Sequence, residues 1–90
     1  MEIKISQAGK LMHESPQQKW HGDSPDIMQV SRFAGHEMMV IQKSDDEPDK
    51  YELHYMGYMI TDLNGIEQAI NDAPEFAKTV LRKLSDTILE

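Results

Sequence analysis

Residues 72–88 read as a helix that can bury only one side, and this decides what the rest of the chain must supply. Asp72 stands at an N-cap position and Glu75 follows three places later, the pairing of a capping box. Pro74 falls in the first turn, where a missing N–H costs nothing. Ala77, Val80, Leu81, Leu84 and Ile88 recur at helical spacing, with Phe76 at the edge of the stripe. Lys78, Arg82 and Asp86 fall on the opposite side. Such a helix is stable only against an apolar surface, because most helical stability in proteins comes from packing. The upstream residues offer that surface as a sheet.

Residues 1–6 alternate, with Ile3 and Ile5 on one side and Glu2 and Lys4 on the other, the pattern of a half-buried strand. Ala8-Gly9 then predicts a turn and residues 11–14 a short return strand. Residues 15–25 read as one irregular loop, marked by Pro16, Gly22, Asp23, Ser24 and Pro25. Residues 26–33 and 37–43 form the clearest hairpin. A two-residue turn at Ala34-Gly35 pairs Phe33 with His36, Arg32 with Glu37, Val30 with Met39 and Met28 with Ile41. Residues 44–50 read as a charged turn around Pro48. Residues 51–61 form a further hairpin at Met56-Gly57, with Leu53 opposite Ile60 and His54 opposite Met59; one long strand bent at Gly57 is the competing picture. Asn64 and Glu67 then predict a short helix ending at Asn71-Asp72, ahead of the longer one.

Strands first and helices last give an α+β class. The expected architecture is one domain over residues 1–90: an antiparallel sheet of about five to six strands within 1–61, and two C-terminal helices within 63–90 packed on one face. Met28, Val30, Met39, Ile41, Leu53 and Ile60 are expected beneath the helices. Met38, Val40 and Met59 are expected to face away from them, as an adaptable apolar patch of the kind that marks a partner or a second copy.

The net charge of -7 is unevenly placed. Asp45, Asp46, Glu47, Asp49, Glu52, Asp62, Glu67, Asp72 and Glu75 are set against Lys50 alone within 45–75. A surface of that sign repels a phosphate backbone and suits a basic partner. Strand, x-Gly turn, strand and helix over 51–70 resemble in topology the three-stranded-sheet-plus-helix modules that present a sheet to DNA. The exposed strands of such modules carry basic and aromatic side chains, whereas Glu52, His54, Met59 and Thr61 stand here. Their function is therefore not carried over. With no apolar run approaching the ~20 residues of a membrane span, no apolar core in MEIKISQAGK and no cysteine, the reading expects a cytoplasmic protein without disulfides or thiolate metal sites.

Chemistry-bearing patterns are sparse. His13, His21, His36 and His54 are scattered and match no zinc spacing. His36-Glu37 and the run Trp20-His21-Gly22-Asp23 each place an imidazole near a carboxylate, but no nucleophile or oxyanion element accompanies them. There is no glycine-rich phosphate loop. The expectation is a small acidic non-enzymatic protein-interaction module, an adaptor or inhibitor, with no cofactor, no metal and no catalytic residue. In its sharper form the acidic belt occupies a basic nucleic-acid channel, as phage- or mobile-element-encoded inhibitors do. The residues expected to meet the partner are Trp20, Met38, Val40, Asp45, Asp46, Glu47, Asp49, Glu52, His54 and Met59. The expected partner is another protein, a basic surface being what suits the acidic window, and a homodimer is compatible with the apolar patch. Two alternatives belong to other classes: a histidine-based metal protein or small enzyme, and a nucleic-acid-binding module using Lys4, Lys10, Lys19 and Arg32.

Overall fold

Three x-Gly dipeptides, Ala8-Gly9, Ala34-Gly35 and Met56-Gly57, read as turns, and the last two close hairpins in the computed structural model, which describes residues 1–89. Five strands follow one another as an antiparallel meander: β1 (His21–Ser24), β2 (Met28–Phe33), β3 (His36–Ser44), β4 (Glu47–Tyr55) and β5 (Tyr58–Asn64). Helix α1 (Gln7–Glu14) precedes the sheet and helix α2 (Ile66–Asp86) follows it. The fold is α+β, with one helix at each end of the chain rather than two at the C-terminus.

The hairpin turns are as the sequence predicts. Ala34-Gly35 and Met56-Gly57 both have positive φ at both positions (52° and 79°; 52° and 83°), the backbone of a type I′ turn. This conformation matches the twist of the flanking strands, and it fixes Phe33 opposite His36 and Tyr55 opposite Tyr58. The single bent strand over 51–61 is excluded. The left-handed region costs an L-residue roughly 1–2 kcal/mol, and asparagine tolerates it best after glycine. Met56 is exposed, so Met56→Asn is expected to stabilise by about 1 kcal/mol and raise Tm by about 4–8 °C, whereas Met56→Val lowers it. Thermal unfolding followed by circular dichroism reads both.

Five expectations are corrected. Residues 1–6 are not a strand: Ser6 caps α1, its hydroxyl accepting from the Gly9 N–H at 3.1 Å, and Ala8-Gly9 lies inside the helix rather than in a turn. The loop over 15–25 ends at Trp20, because His21–Ser24 pairs with β2 as an edge strand. Gly22 permits this contact, since a Cβ there would meet the Met28 carbonyl oxygen at 2.5 Å. The charged turn shrinks to Asp45-Asp46, with Pro48 in the irregular start of β4. The two C-terminal helices are one, running through Pro74 without a break at Asn71-Asp72. Its N-terminus is not capped by Asn64. Gly65 occupies the cap position, and the Gln68 side chain reaches back to accept the Asn64 N–H at 2.8 Å.

The core lies between α2 and one face of the sheet. Ala69, Ala73, Phe76, Ala77 and Val80 line the buried side of α2 at i, i+4 and i+3 steps. The three alanines let the helix backbone sit close over Met38, Val40, Leu53 and Tyr55, all at or below 1% exposure. Met38 stands opposite Tyr55, and Val40 opposite Leu53. The expected core set is therefore half inverted. Leu53 and Ile60 face the helix, but Met28, Val30, Met39 and Ile41 are on the reverse side and Met38 and Val40 take their place. A one-residue offset between the two hairpins turns a whole strand pair over.

Candidate interaction surface

Side chains alternate across a sheet, so the cross-strand partners define the second face row by row. His21, Val30, Met39, His54 and Met59 form one row across all five strands. Met28, Ile41 and Glu52 form the next, and Arg32 and Glu37 the row on the other side. No helix covers these rows: α2 lies over β3, β4 and β5 from the core side. The Cα framework measures 51 × 29 × 17 Å, and its thin dimension holds a sheet and one helix layer but not a third layer. Met28 and Met59 remain 39% and 49% exposed, while Val30, Met39 and Ile41 are half-buried by their neighbours.

The uncovered face also has fixed polar groups. Glu52 and His54 are two apart on β4 and so share a face, with Glu52 Oε1 3.1 Å from His54 Nε2. The other carboxylate oxygen accepts from the Thr61 hydroxyl at 3.3 Å. Both oxygens of Glu52 are thus engaged on an open sheet surface, which fixes the orientation of the pair. The two imidazole–carboxylate pairs read from the sequence, at His36-Glu37 and around His21, are not among the hydrogen bonds and ion pairs of the described residues. The Glu52–His54 pair was within reach of sequence reasoning, since i and i+2 on a strand always share a face.

The residues singled out in the sequence separate into four groups. Glu52, His54 and Met59 come together on the uncovered face. Met38 and Val40 do not belong to any contact surface, because both are fully buried under α2. Trp20 is half-buried, its ring 5.9 Å from Phe33 at 57°, and closes the core at the turn end of the β2–β3 hairpin. Asp45, Asp46, Glu47 and Asp49 gather at the β3–β4 tip, exposed. That tip is not purely acidic. Lys43 bonds Glu47 at 3.2 Å and Asp62 at 2.8 Å, and Lys50 bonds the Asn64 side chain. The hydrogen bonds it donates to Asp62 and Glu47 hold the Lys43 ammonium above its ordinary pKa, and Lys43 holds the Asp62 carboxyl below its own. Asp62 itself sits at φ 62° in a bulge of β5, where two residues oppose one of β4 and the exposed edge is bent.

Arg32 and Lys19, which the sequence offered for nucleic-acid contact, were not placed with the apolar patch. With Pro16 and His21 they line a depression of about 340 Å³ beside β1 and β2. The signal was present, since Arg32 and Val30 are two apart on one strand. Among the described residues, no three His, Asp or Glu side chains are grouped so as to hold a metal ion, and no helix is long and apolar enough to cross a membrane. Set against protein-family models, curated proteins and solved structures, the chain matches none.

Proposed function

We propose that this chain is a small non-enzymatic protein-interaction module, and that it meets its partner through the uncovered sheet face centred on Met39. One observation carries the reading: α2 covers only one side of the five-stranded sheet, over β3, β4 and β5, and the bare side is lined by Met28, Val30, Met39, Ile41 and Met59. Contiguous apolar surface of this kind marks a binding site, and methionine side chains adapt to the shape of what they meet. Glu52 and His54 add a held polar element within the patch. The acidic β3–β4 tip extends beyond the face and favours a partner with basic groups around an apolar centre. Lys43 and Lys50 interrupt that tip, so the apolar face supports the interaction reading better than a continuous acidic belt does.

The test is comparative capture. Immobilised wild type and a Met59→Asp variant, both checked for native circular dichroism, are exposed to extract of the native host. A bound protein is expected with wild type and is expected to fall at least tenfold with Met59→Asp, since an unpaired charge at a desolvated contact costs several kcal/mol. Retention resistant to moderate salt agrees with an apolar centre. Equal capture by both proteins would overturn the assignment of the face.

A further inference from the structure

We infer that the occupant of the uncovered face is a second copy of this chain, packed sheet against sheet about a two-fold axis. The inference rests on the reading of that face as a contact surface. Its own support is the placement of charge. Arg32 lies one strand to one side of Met39 and one row towards the Ala34-Gly35 turn. Glu52 lies one strand to the other side and one row towards the β3–β4 tip. The two are therefore at opposite corners of the patch with Met39 midway, roughly 17 Å apart on standard sheet spacings. That exceeds the ~8 Å Debye length at physiological salt, so neither charge answers the other within one chain.

The positive corner is reinforced by Lys19, which borders the same depression as Arg32. The Arg32 guanidinium donates to the Gly35 carbonyl at 3.3 Å and makes no ion pair among the described residues, although Glu37 stands across from it. The negative corner holds Glu52, fixed by His54 and Thr61. A surface with opposite charges at opposite corners and an apolar centre is self-complementary. A two-fold axis lying in the interface and crossing Met39 obliquely to the strands exchanges the corners. It sets Arg32 of each copy against Glu52 of the other, twice per dimer, and Met39 against Met39. The strands then cross steeply, near the orthogonal arrangement that is one of the two standard ways sheets stack.

Size and net charge agree with this occupant. Five strands about 4.8 Å apart, with several residues each at about 3.4 Å, present about 500 Å² in projection and more in accessible area. A standard interface takes roughly 600–1,000 Å² from each partner. The chain carries -7 overall, so two copies repel each other through most of their surface. The patch carries both signs, which lessens that repulsion there.

Sedimentation velocity over a concentration series decides the matter. Wild type is expected to be a dimer at tens of micromolar. Arg32→Glu and Glu52→Arg are each expected to weaken it roughly ten- to hundredfold, because every change is counted twice. The double variant Arg32→Glu/Glu52→Arg is expected to recover most of the affinity, an outcome that general destabilisation does not give. Wild type that stays monomeric at 100 µM, or a dimer indifferent to all three variants, would overturn the inference. A monomer that still captures a host protein through Met59 leaves the interaction reading standing while removing the second copy.

Discussion

Met38→Asp is expected to unfold the domain, whereas Met39→Asp, one residue further along β3, is expected to leave it folded. Met38 has no exposure, stands opposite Tyr55 and lies under α2. An aspartate there loses the methionine's apolar burial and places an unpaired carboxylate in the core. Together these cost at least about 4–5 kcal/mol, against the roughly 5–15 kcal/mol that holds a domain of this kind together. Met39 points the other way, into the row between Val30 and His54, where water reaches it. The aspartate at that position is hydrated, and its cost is expected to stay near or below about 1 kcal/mol. Urea titration followed by circular dichroism separates the two: a lost or nearly lost transition for one, a midpoint close to wild type for the other. In the association experiments Met39→Asp is expected to be the defective one. If Met38→Asp folds normally while Met39→Asp does not, the two faces of the sheet have been exchanged and the contact surface moves with them.

That inversion is also where sequence reasoning failed, and the reason is physical. In β2 and β3 both faces are apolar: Met28, Val30, Met39 and Ile41 on one, Met38 and Val40 on the other. Periodicity alone cannot choose between two apolar faces. The pairing across the Ala34-Gly35 turn was legible, but the side it presents to the helix depends on the next connection, where Gln42 meets Tyr51 and Ser44 meets Glu47 across an irregularity. One clue was overlooked. Arg32 and Glu37 share the face of Val30 and Met39, and a pair of charged residues belongs on the wet side. In β4 and β5 the alternation was clean, with Glu52 and His54 against Leu53 and Tyr55, and there the faces were read correctly.

The ends of the chain show the same limit. The one-sided stripe of α2 was plain because its buried residues recur at helical spacing, but Pro74 and Asn71-Asp72 argued for a break that tertiary packing overrides. α1 was missed altogether. It has no buried residue and hence no strong stripe to read, and Gly9 in its middle resembles a turn. What holds it is local: the Ser6 cap, and Gln17, which donates to the Met12 carbonyl and accepts the Gly35 N–H. Gly35 in turn has Met12 packed close enough that a Cβ would stand 3.3 Å from it. The Glu52, His54 and Met59 part of the contact surface was legible because it lies in the clean hairpin. Arg32 was legible only as a cation for nucleic acid, because the face it shares with Val30 was expected beneath the helices.

Tyr55→Ala is expected to cost about 3–5 kcal/mol, and Tyr55→Phe about 1–2 kcal/mol. Tyr55 is 1% exposed, its ring stands edge-on to Phe33 at 6.5 Å, and its hydroxyl donates to the Phe33 carbonyl oxygen at 2.5 Å. It ties β4 to the last residue of β2, and with Phe33 and Trp20 it closes that end of the core. Truncation to alanine removes the ring and opens a cavity, whereas phenylalanine fills the space but leaves a buried carbonyl oxygen without this donor. The two variants therefore divide the contribution into packing and hydrogen bonding. Alkaline pH gives a second readout. Burial pushes the Tyr55 phenol above its ordinary pKa, because the phenolate is poorly solvated there. An unfolded tyrosine ionises near pH 10 while the folded one is still neutral. The contribution of Tyr55 is thus complete below about pH 10 and is lost as pH rises from there through the folded pKa. Tyr55→Phe has no phenol to ionise at this position. The stability difference between wild type and Tyr55→Phe, measured by urea titration at pH 8 and again near pH 10.5, is expected to narrow at the higher pH. A difference that stays constant or widens would mean the phenol is not sealed from water, and the end of the core would then be open where Trp20 and Phe33 are placed to close it.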